Sequence, residues 1–402
     1  MSAASLEATG APAAGQQPRW DDTGQVERVR RELAALPPLI DPAAPRALRA
    51  ALAEVAAGRA QVVQAGDCAE DPAECTARDV DRKTGLLHLL AGTMEAATRL
   101  PVVRAGRIAG QYAKPRSAHT EVVGGVEIPV YRGHMVNAPE PDPEARRPDP
   151  RRLLAGYRAA SRIMGGLASA PWARVAPPVW TSHEALLLDY ELPMVRRGRD
   201  GARVLTSTHW PWIGERTATP DGVHAALLAD VANPVACKVG PRMTPSDLLA
   251  LCGRLDPGRS PGRLTLIARM GADTVADALP PLVEAVRAAG HPAVWRVDPR
   301  HGNTHTTAEG RKTRLVETLV REVRAFQAAV RSVGGTPGGL HLETTPDAVA
   351  ECVDADGVPG PDEGGYTTLC DPRLNPRQAV SVVSAWRAPT LTDRVEGDTC
   401  RA

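Results

Sequence analysis

The sequence predicts an α/β fold, a (β/α)8 TIM barrel carrying a short N-terminal helical extension. Three observations lead there. The chain has 402 residues with 43% hydrophobic content, and α/β barrels run to about 250 residues and beyond as one unit. Eight short apolar, strand-like runs recur along it. Amphipathic helical stretches separate most of them, and eight parallel strands close a barrel. An open doubly wound sheet is the runner-up, but no glycine-rich nucleotide turn follows the first strand.

Taken in order, residues 1–19 are mostly Ala, Gly, Gln and Pro without an apolar leader core, and read as a disordered tail. Residues 20–57 read as N-terminal helices. Val26, Val29 and Leu33 recur at helical spacing within Asp22–Leu36, which Pro37 and Pro38 close, and Pro45–Ala57 forms a second helix. The barrel is expected over 58–390, with a tail at 391–402. Its strands are expected at Gln61–Ala65, Val102–Arg107, Pro178–Ser182, Val204–Ser207, Val235–Val239, Leu264–Ala268, Ala293–Val297 and Gly339–Leu342. Helices between them include Thr84–Arg99, His224–Val231, Pro245–Leu255, Val275–Ala289 and Arg314–Val333. Ala138–Pro150 and Cys352–Tyr366, rich in Pro, Gly and charge, read as loops.

Charge and cysteine usage narrow the function classes. The 48 basic and 47 acidic residues balance to +1, against a nucleic-acid or membrane surface as main partner. No apolar run approaches the roughly 18 residues needed to span a membrane. Seven scattered cysteines fit a reducing compartment, so a cytoplasmic location is expected. Basic residues are almost all arginine; only Lys83, Lys114, Lys238 and Lys312 are lysine. A lysine kept against such a bias points mildly to function, because a compact ammonium does what a guanidinium cannot.

In a barrel, the residues just past each strand meet on one face. Two subsets stand out there. Arg107, Lys114, Arg116, Arg216, Lys238 and Arg269 are cationic, and Lys238 and Arg269 lie in apolar strands where an unpaired charge is costly. Such convergence suits small, multiply anionic substrates. Cys68, His301, Glu343 and Asp371 offer thiolate, imidazole and carboxylate, a donor set for Mn²⁺, Co²⁺, Zn²⁺ or Fe²⁺. Sequence spacing leaves open the alternative of an inert cysteine, a loop histidine and two ordinary carboxylates.

Ten blocks then coincide, in order, with one family: GDCAE, GRIAGQYAKPRS, YRGHMVN, TSHEALLLDYE, WIGERT, NPVACKVGPRMT, GRLTLIARMG, DPRHGNTH, HLETT and CDPRLN. From about residue 45 to 385 the chain resembles type II 3-deoxy-D-arabino-heptulosonate 7-phosphate (DAHP) synthases. The resemblance implies condensation of phosphoenolpyruvate with erythrose 4-phosphate, the first step of the shikimate pathway. It places metal ligands on Cys68, His301, Glu343 and Asp371, with Mn²⁺ or Co²⁺ foremost. It places phosphoenolpyruvate contacts on Arg107, Trp212, Glu215, Arg216, Lys238 and Arg269, and the sugar-phosphate site on Lys114, Pro115, Arg116 and Ser117. The catalytic set it implies is Lys114, Glu215, Lys238 and His301, with Glu215 positioning the attacking water. It further implies a homodimer or higher homo-oligomer, and a complex with a chorismate-using enzyme as a further partner.

Departures from the family pattern set further expectations. Between Gly156 and Thr181 the chain is short where relatives carry a regulatory helical insertion, which predicts weak feedback inhibition and a role in secondary metabolism. CDPMHGNT reads here as VDPRHGNT, with Arg300 beside His301 and expected to face solvent rather than to add a phosphate contact. YRGDMVN reads as YRGHMVN, putting His134 near the sugar-phosphate side. These changes keep an amino-DAHP synthase as an alternative, and an inactive paralogue acting as a regulatory partner is a third reading. Cys68 and Cys370 are expected to lie close enough for a disulfide that would remove the metal's thiolate.

Overall fold

The computed structural model describes residues 14–308, 310–354 and 364–388. Eight parallel strands form one sheet: β1 (Gln61–Gly66), β2 (Val102–Arg107), β3 (Val179–Thr181), β4 (Trp212–Ile213), β5 (Val235–Val239), β6 (Leu264–Ala268), β7 (Val294–Val297) and β8 (Pro337–His341). The order is β3-β2-β1-β8-β7-β6-β5-β4. The seam between its ends is closed by a parallel bridge from Glu184 to Trp212. Trp210 N–H donates to Thr181 O at 3.1 Å, and Ala185 N–H donates to Trp212 O at 2.9 Å. The sheet is therefore a (β/α)8 barrel, as expected.

One strand differs from its expected place. Arg203–Leu205 pairs antiparallel with Val195–Arg197 in a hairpin outside the barrel. The fourth barrel strand is instead the two-residue Trp212–Ile213. An apolar run shows that a segment extends, not which neighbour it pairs with. The helix expected at Val275–Ala289 is interrupted, running Val275–Ala278 and then Pro280–Ala288. Pro280 and Pro281 lack the N–H that would continue the ladder. The helix after β1 starts earlier than expected, at Ala77, where Thr76 and Asp79 form a capping box. Helix Arg151–Ser169 lies between β2 and β3 and buries Leu153, Leu154, Tyr157, Ile163 and Leu167.

The N-terminal helices are Thr23–Ala35 and Ala44–Ala56. The second stops the bottom of the barrel: Leu48, Leu52 and Val55 cluster with Val62, Ala105, Trp210, Ala236, Ile267 and Val294. Residues 1–13 and 389–402, and with them the C-terminal tail, lie outside the described residues. Gln16 and Gln17, inside the expected tail, are bonded: the Gln17 side chain donates to Leu186 O at 2.8 Å and accepts from Leu188 N–H at 3.0 Å.

Strand period decides what faces inward. The pairs Val62–Gln64, Ala105–Arg107, Ala236–Lys238, Ile267–Arg269 and Val294–Arg296 each step from an apolar floor to a polar upper layer. The site is that upper layer and the loops above it.

Candidate active site

Each loop at the strand ends is fixed by its own chemistry. Above β1, the Glu70 carboxylate accepts backbone N–H bonds from Ala109, Gly110 and Gln111 at 2.7–2.9 Å, tying the GDCAE turn to the loop after β2. Above β7, Asn303 donates to Pro299 O at 2.6 Å and accepts from Ala272 N–H at 3.0 Å. Gly302 is required there, since a Cβ would lie 2.5 Å from Gly271 backbone. Asp371 and Cys68 are held together from behind by Arg373, which pairs with Asp67 at 2.7 Å and Glu351 at 2.8 Å.

Three of the four expected metal ligands converge. Donor atoms of Cys68, Glu343 and Asp371 lie within 4.8 Å of one another. His301 stands outside that group. Its Nδ1 is 2.7 Å from Asp298 Oδ2, so Nδ1–H donates to the carboxylate and the lone pair is left on Nε2. The Cys68 thiol donates to Asp371 Oδ2 at 3.6 Å and accepts from Asp371 N–H at 3.4 Å, with Cys370 beside it. Burial raises the Asp371 carboxyl, but Lys114, His301, Lys312 and Arg314 outweigh it and hold the group well below the usual carboxylate range. Burial and the Cys370 contact push the Cys68 thiol well up, with Lys114 opposing.

Glu343 is the hub. Arg107 and Arg314 approach it at 3.2 and 3.3 Å, Lys114 at 3.6 Å, and Arg300 more closely still. Arg300 therefore does not face solvent, contrary to expectation. Its side chain is fully buried, bridging Glu343 and, at 3.0 Å, Asp298. The two carboxylates compensate the guanidinium there.

The cationic subset divides by depth. Arg107 is fully buried and donates from Nε to Asp67 O at 2.8 Å. Lys238 pairs with Asp298 at 2.9 Å and lies 4.6 Å from the Trp212 ring centroid, with Arg107 5.5 Å from the same ring. Burial lowers Lys238 to about 8, against the pull of Asp298. Arg269 pairs closely with Glu215, both partly exposed. Arg216 and Ser117 are exposed, while Pro115 and Arg116 are half-buried. Arg116 N–H donates to the Gln16 side chain at 2.8 Å, and Arg132 donates to Gln16 O, so the N-terminal segment borders this subsite. His134 packs edge-on to Tyr131 at 5.7 Å.

All four lysines stand at or behind this site. Lys83 reaches Asp67 at 3.2 Å, Lys114 reaches Asp371 at 3.5 Å, Lys238 reaches Asp298, and Lys312 reaches Asp371 at 2.9 Å. Sequence reasoning did not give Asp298, Glu184 or Arg314 a role. Glu184 is buried, its carboxyl raised by burial against the pull of Lys238, Lys114, Arg107 and Arg216. Its position next to the third strand was the available signal.

Fold and site define a (β/α)8 barrel whose strand ends present clustered cations beside a thiol–carboxylate group. A sequence model of the Class-II DAHP synthetase family matches residues 5–176 and 172–385. The chain belongs to that family. It is 56% identical over 378 residues to a probable phospho-2-dehydro-3-deoxyheptonate aldolase of Pseudomonas fluorescens, covering 93% of this chain and 94% of that protein. It is 38% identical over 433 residues to the phospho-2-dehydro-3-deoxyheptonate aldolase AroG of Mycolicibacterium smegmatis, covering 94% and 92%. Among solved structures, that of the Francisella tularensis phospho-2-dehydro-3-deoxyheptonate aldolase matches with a TM-score of 0.51 at 13% identity, covering 90% of this chain and 96% of that one. That likeness speaks for the fold.

Proposed function

We propose that this chain condenses phosphoenolpyruvate with erythrose 4-phosphate to give DAHP and phosphate. Family membership supports the reaction, and one observation carries its location: anion-binding cations and a thiol–carboxylate cluster share one barrel mouth. Arg107, Lys238, Arg269 and Arg216, with Trp212 as a wall, would hold the phosphoenolpyruvate carboxylate and phosphate. Lys114, Pro115, Arg116 and Ser117 would take the sugar phosphate. Placing both substrates in one orientation supplies much of the rate.

The donor set fits a divalent metal, Mn²⁺ or Co²⁺ foremost and Zn²⁺ or Fe²⁺ as alternatives. Cys68, His301, Glu343 and Asp371 would hold it, and when bound it would polarise the aldehyde oxygen as a Lewis acid. Asp298 keeps the His301 proton on Nδ1. Lys114 lies between Glu343 and Asp371, compensating their charge. Glu215, paired with Arg269, would orient the attacking water.

The short stretch before β3, one helix and a 3-10 turn from Arg151 to Arg174, supports weak feedback inhibition and service in secondary metabolism. Titration calorimetry with Trp, Phe and Tyr tests this; micromolar binding coupled to inhibition would sink it. The free thiols Cys68, Cys75, Cys237, Cys252 and Cys370 support a cytoplasmic setting. No helix among the described residues is long and apolar enough to cross a membrane. A homo-oligomer, and a complex with a chorismate-using enzyme, belong to the same reading. The decisive experiment follows phosphoenolpyruvate consumption with erythrose 4-phosphate, with and without Mn²⁺ or Co²⁺. Metal-dependent turnover is expected, and no turnover with metal present would favour an amino analogue as substrate or an inactive paralogue.

A further inference from the structure

From Arg107 a file of buried polar side chains runs through the barrel's upper layer, and the reaction outlined above does not use its other members. Arg296 on β7 lies 4.1 Å from the Trp210 ring centroid and donates from its guanidinium to Gln64 Oε1 at 2.7 Å. The same oxygen is 3.0 Å from His341 Nδ1. His341 Nε2 is 2.9 Å from a terminal nitrogen of Arg107. Arg296, Gln64, His341 and Arg107 are all fully buried.

These contacts admit one placement of protons. A guanidinium only donates, so Gln64 must turn its oxygen, not its amide nitrogen, toward Arg296. That oxygen can only accept, so His341 must carry its proton on Nδ1. The lone pair on Nε2 then accepts from Arg107, the second donor-only group. The opposite tautomer, or an imidazolium, would set N–H against N–H at Arg107. The arginines at the two ends thus fix the histidine between them.

The file is poorly explained as packing. Gln64 Nε2 and the Nε and second terminal nitrogen of Arg296 have no hydrogen-bond partner among the described residues. Buried polar atoms left so are costly, and an apolar core would avoid the cost. What the file does achieve is an oriented acceptor under Arg107, with the Trp212 ring edge-on to His341 at 5.4 Å bracing it.

We infer that Arg296, Gln64 and His341 are positioning residues that aim Arg107 at the anionic substrate. The relay rests on the reading that Arg107 binds phosphoenolpyruvate. It predicts that the tautomer of His341 and the affinity for phosphoenolpyruvate change together.

The test uses full-length protein labelled with ¹⁵N-histidine, the His341 signals being assigned by their loss in His341→Gln. The wild type should show the neutral tautomer protonated on Nδ1. Gln64→Leu should release it and weaken phosphoenolpyruvate binding about tenfold by calorimetry, whereas Gln64→Glu, which keeps the acceptor, should restore both. Arg296→Met provides a second break should the leucine variant not fold, with mixed tautomers and several-fold weaker binding expected. A wild-type His341 protonated on Nε2, or a folded relay-breaking variant with unchanged affinity, overturns the relay. Wild-type protein that binds no phosphoenolpyruvate defeats the functional reading instead, and the tautomer alone then judges the relay.

Discussion

The guanidinium of Arg300 and the carboxylate of Glu343 form an ion pair with both side chains fully buried. Glu343 is also a member of the thiol–carboxylate group, so a fixed cation sits against a residue proposed to bind a metal cation. Like charges at such range repel. Arg300→Met should therefore tighten Mn²⁺ binding by about tenfold, roughly 1.4 kcal/mol. Calorimetric titration of metal-stripped protein measures this, and weaker binding by the variant would contradict it.

Lys238 supplies a pH dependence with a definite sign. Burial lowers its ammonium to about 8, so in the free protein the charge is lost as pH rises through that value. A neutral amine holds an anion poorly. kcat/KM for phosphoenolpyruvate should fall on the alkaline side of about 8, while kcat, governed by the protein with anion already bound, falls later. Lys238→Arg should remove that limb of the profile, and an identical limb in the variant would exclude Lys238 as its source.

Cys370 lies beside the Cys68 thiol, which is hydrogen-bonded to the residue after Cys370 in the chain, Asp371. Mild oxidation of metal-free protein should consume both thiols and abolish the activity regained on adding Mn²⁺, with recovery on adding dithiothreitol. Cys370→Ser should keep most of its activity under the same treatment. Equal loss in both proteins would count against a disulfide.

Arg373 spans the loops that carry Cys68 and Asp371, pairing with Asp67 and Glu351. Burial lowers its charge affinity, but the two carboxylates outweigh this and hold the guanidinium firmly protonated. Arg373→Ala leaves Glu351 without that cation while Asp67 keeps Lys83. Breaking a buried pair from one side costs about 3–5 kcal/mol. Urea unfolding should show a loss of that order, and a midpoint within error of wild type would rule the clamp out as a structural element.

Leu52 is fully buried where the second N-terminal helix stops the barrel floor. Leu52→Ala should destabilise by about 2–5 kcal/mol, read as a lower unfolding midpoint, with phosphoenolpyruvate affinity of the folded protein unchanged. Altered affinity at unchanged stability would mean that the floor communicates with the site.

By itself the sequence determined the eightfold alternation of strand and helix, because apolar period is a local property of the chain. It also determined which residue types reach the strand ends, and its four surviving lysines marked the site that each of them borders. It could not place the fourth strand. Val204–Ser207 read as the strand, and only its pairing with Val195–Arg197, and that of Trp212–Ile213 with Val235–Val239, shows which segment the barrel uses. Tertiary structure alone brought Arg300 inward, since its position depends on Asp298 and on Glu343, 43 residues apart from it in sequence. It alone aligned Arg296, Gln64, His341 and Arg107 through the barrel. Periodicity says which face of a strand a residue takes, but the partner it meets is set by closure of the sheet, which joins β1 to β8 across most of the chain.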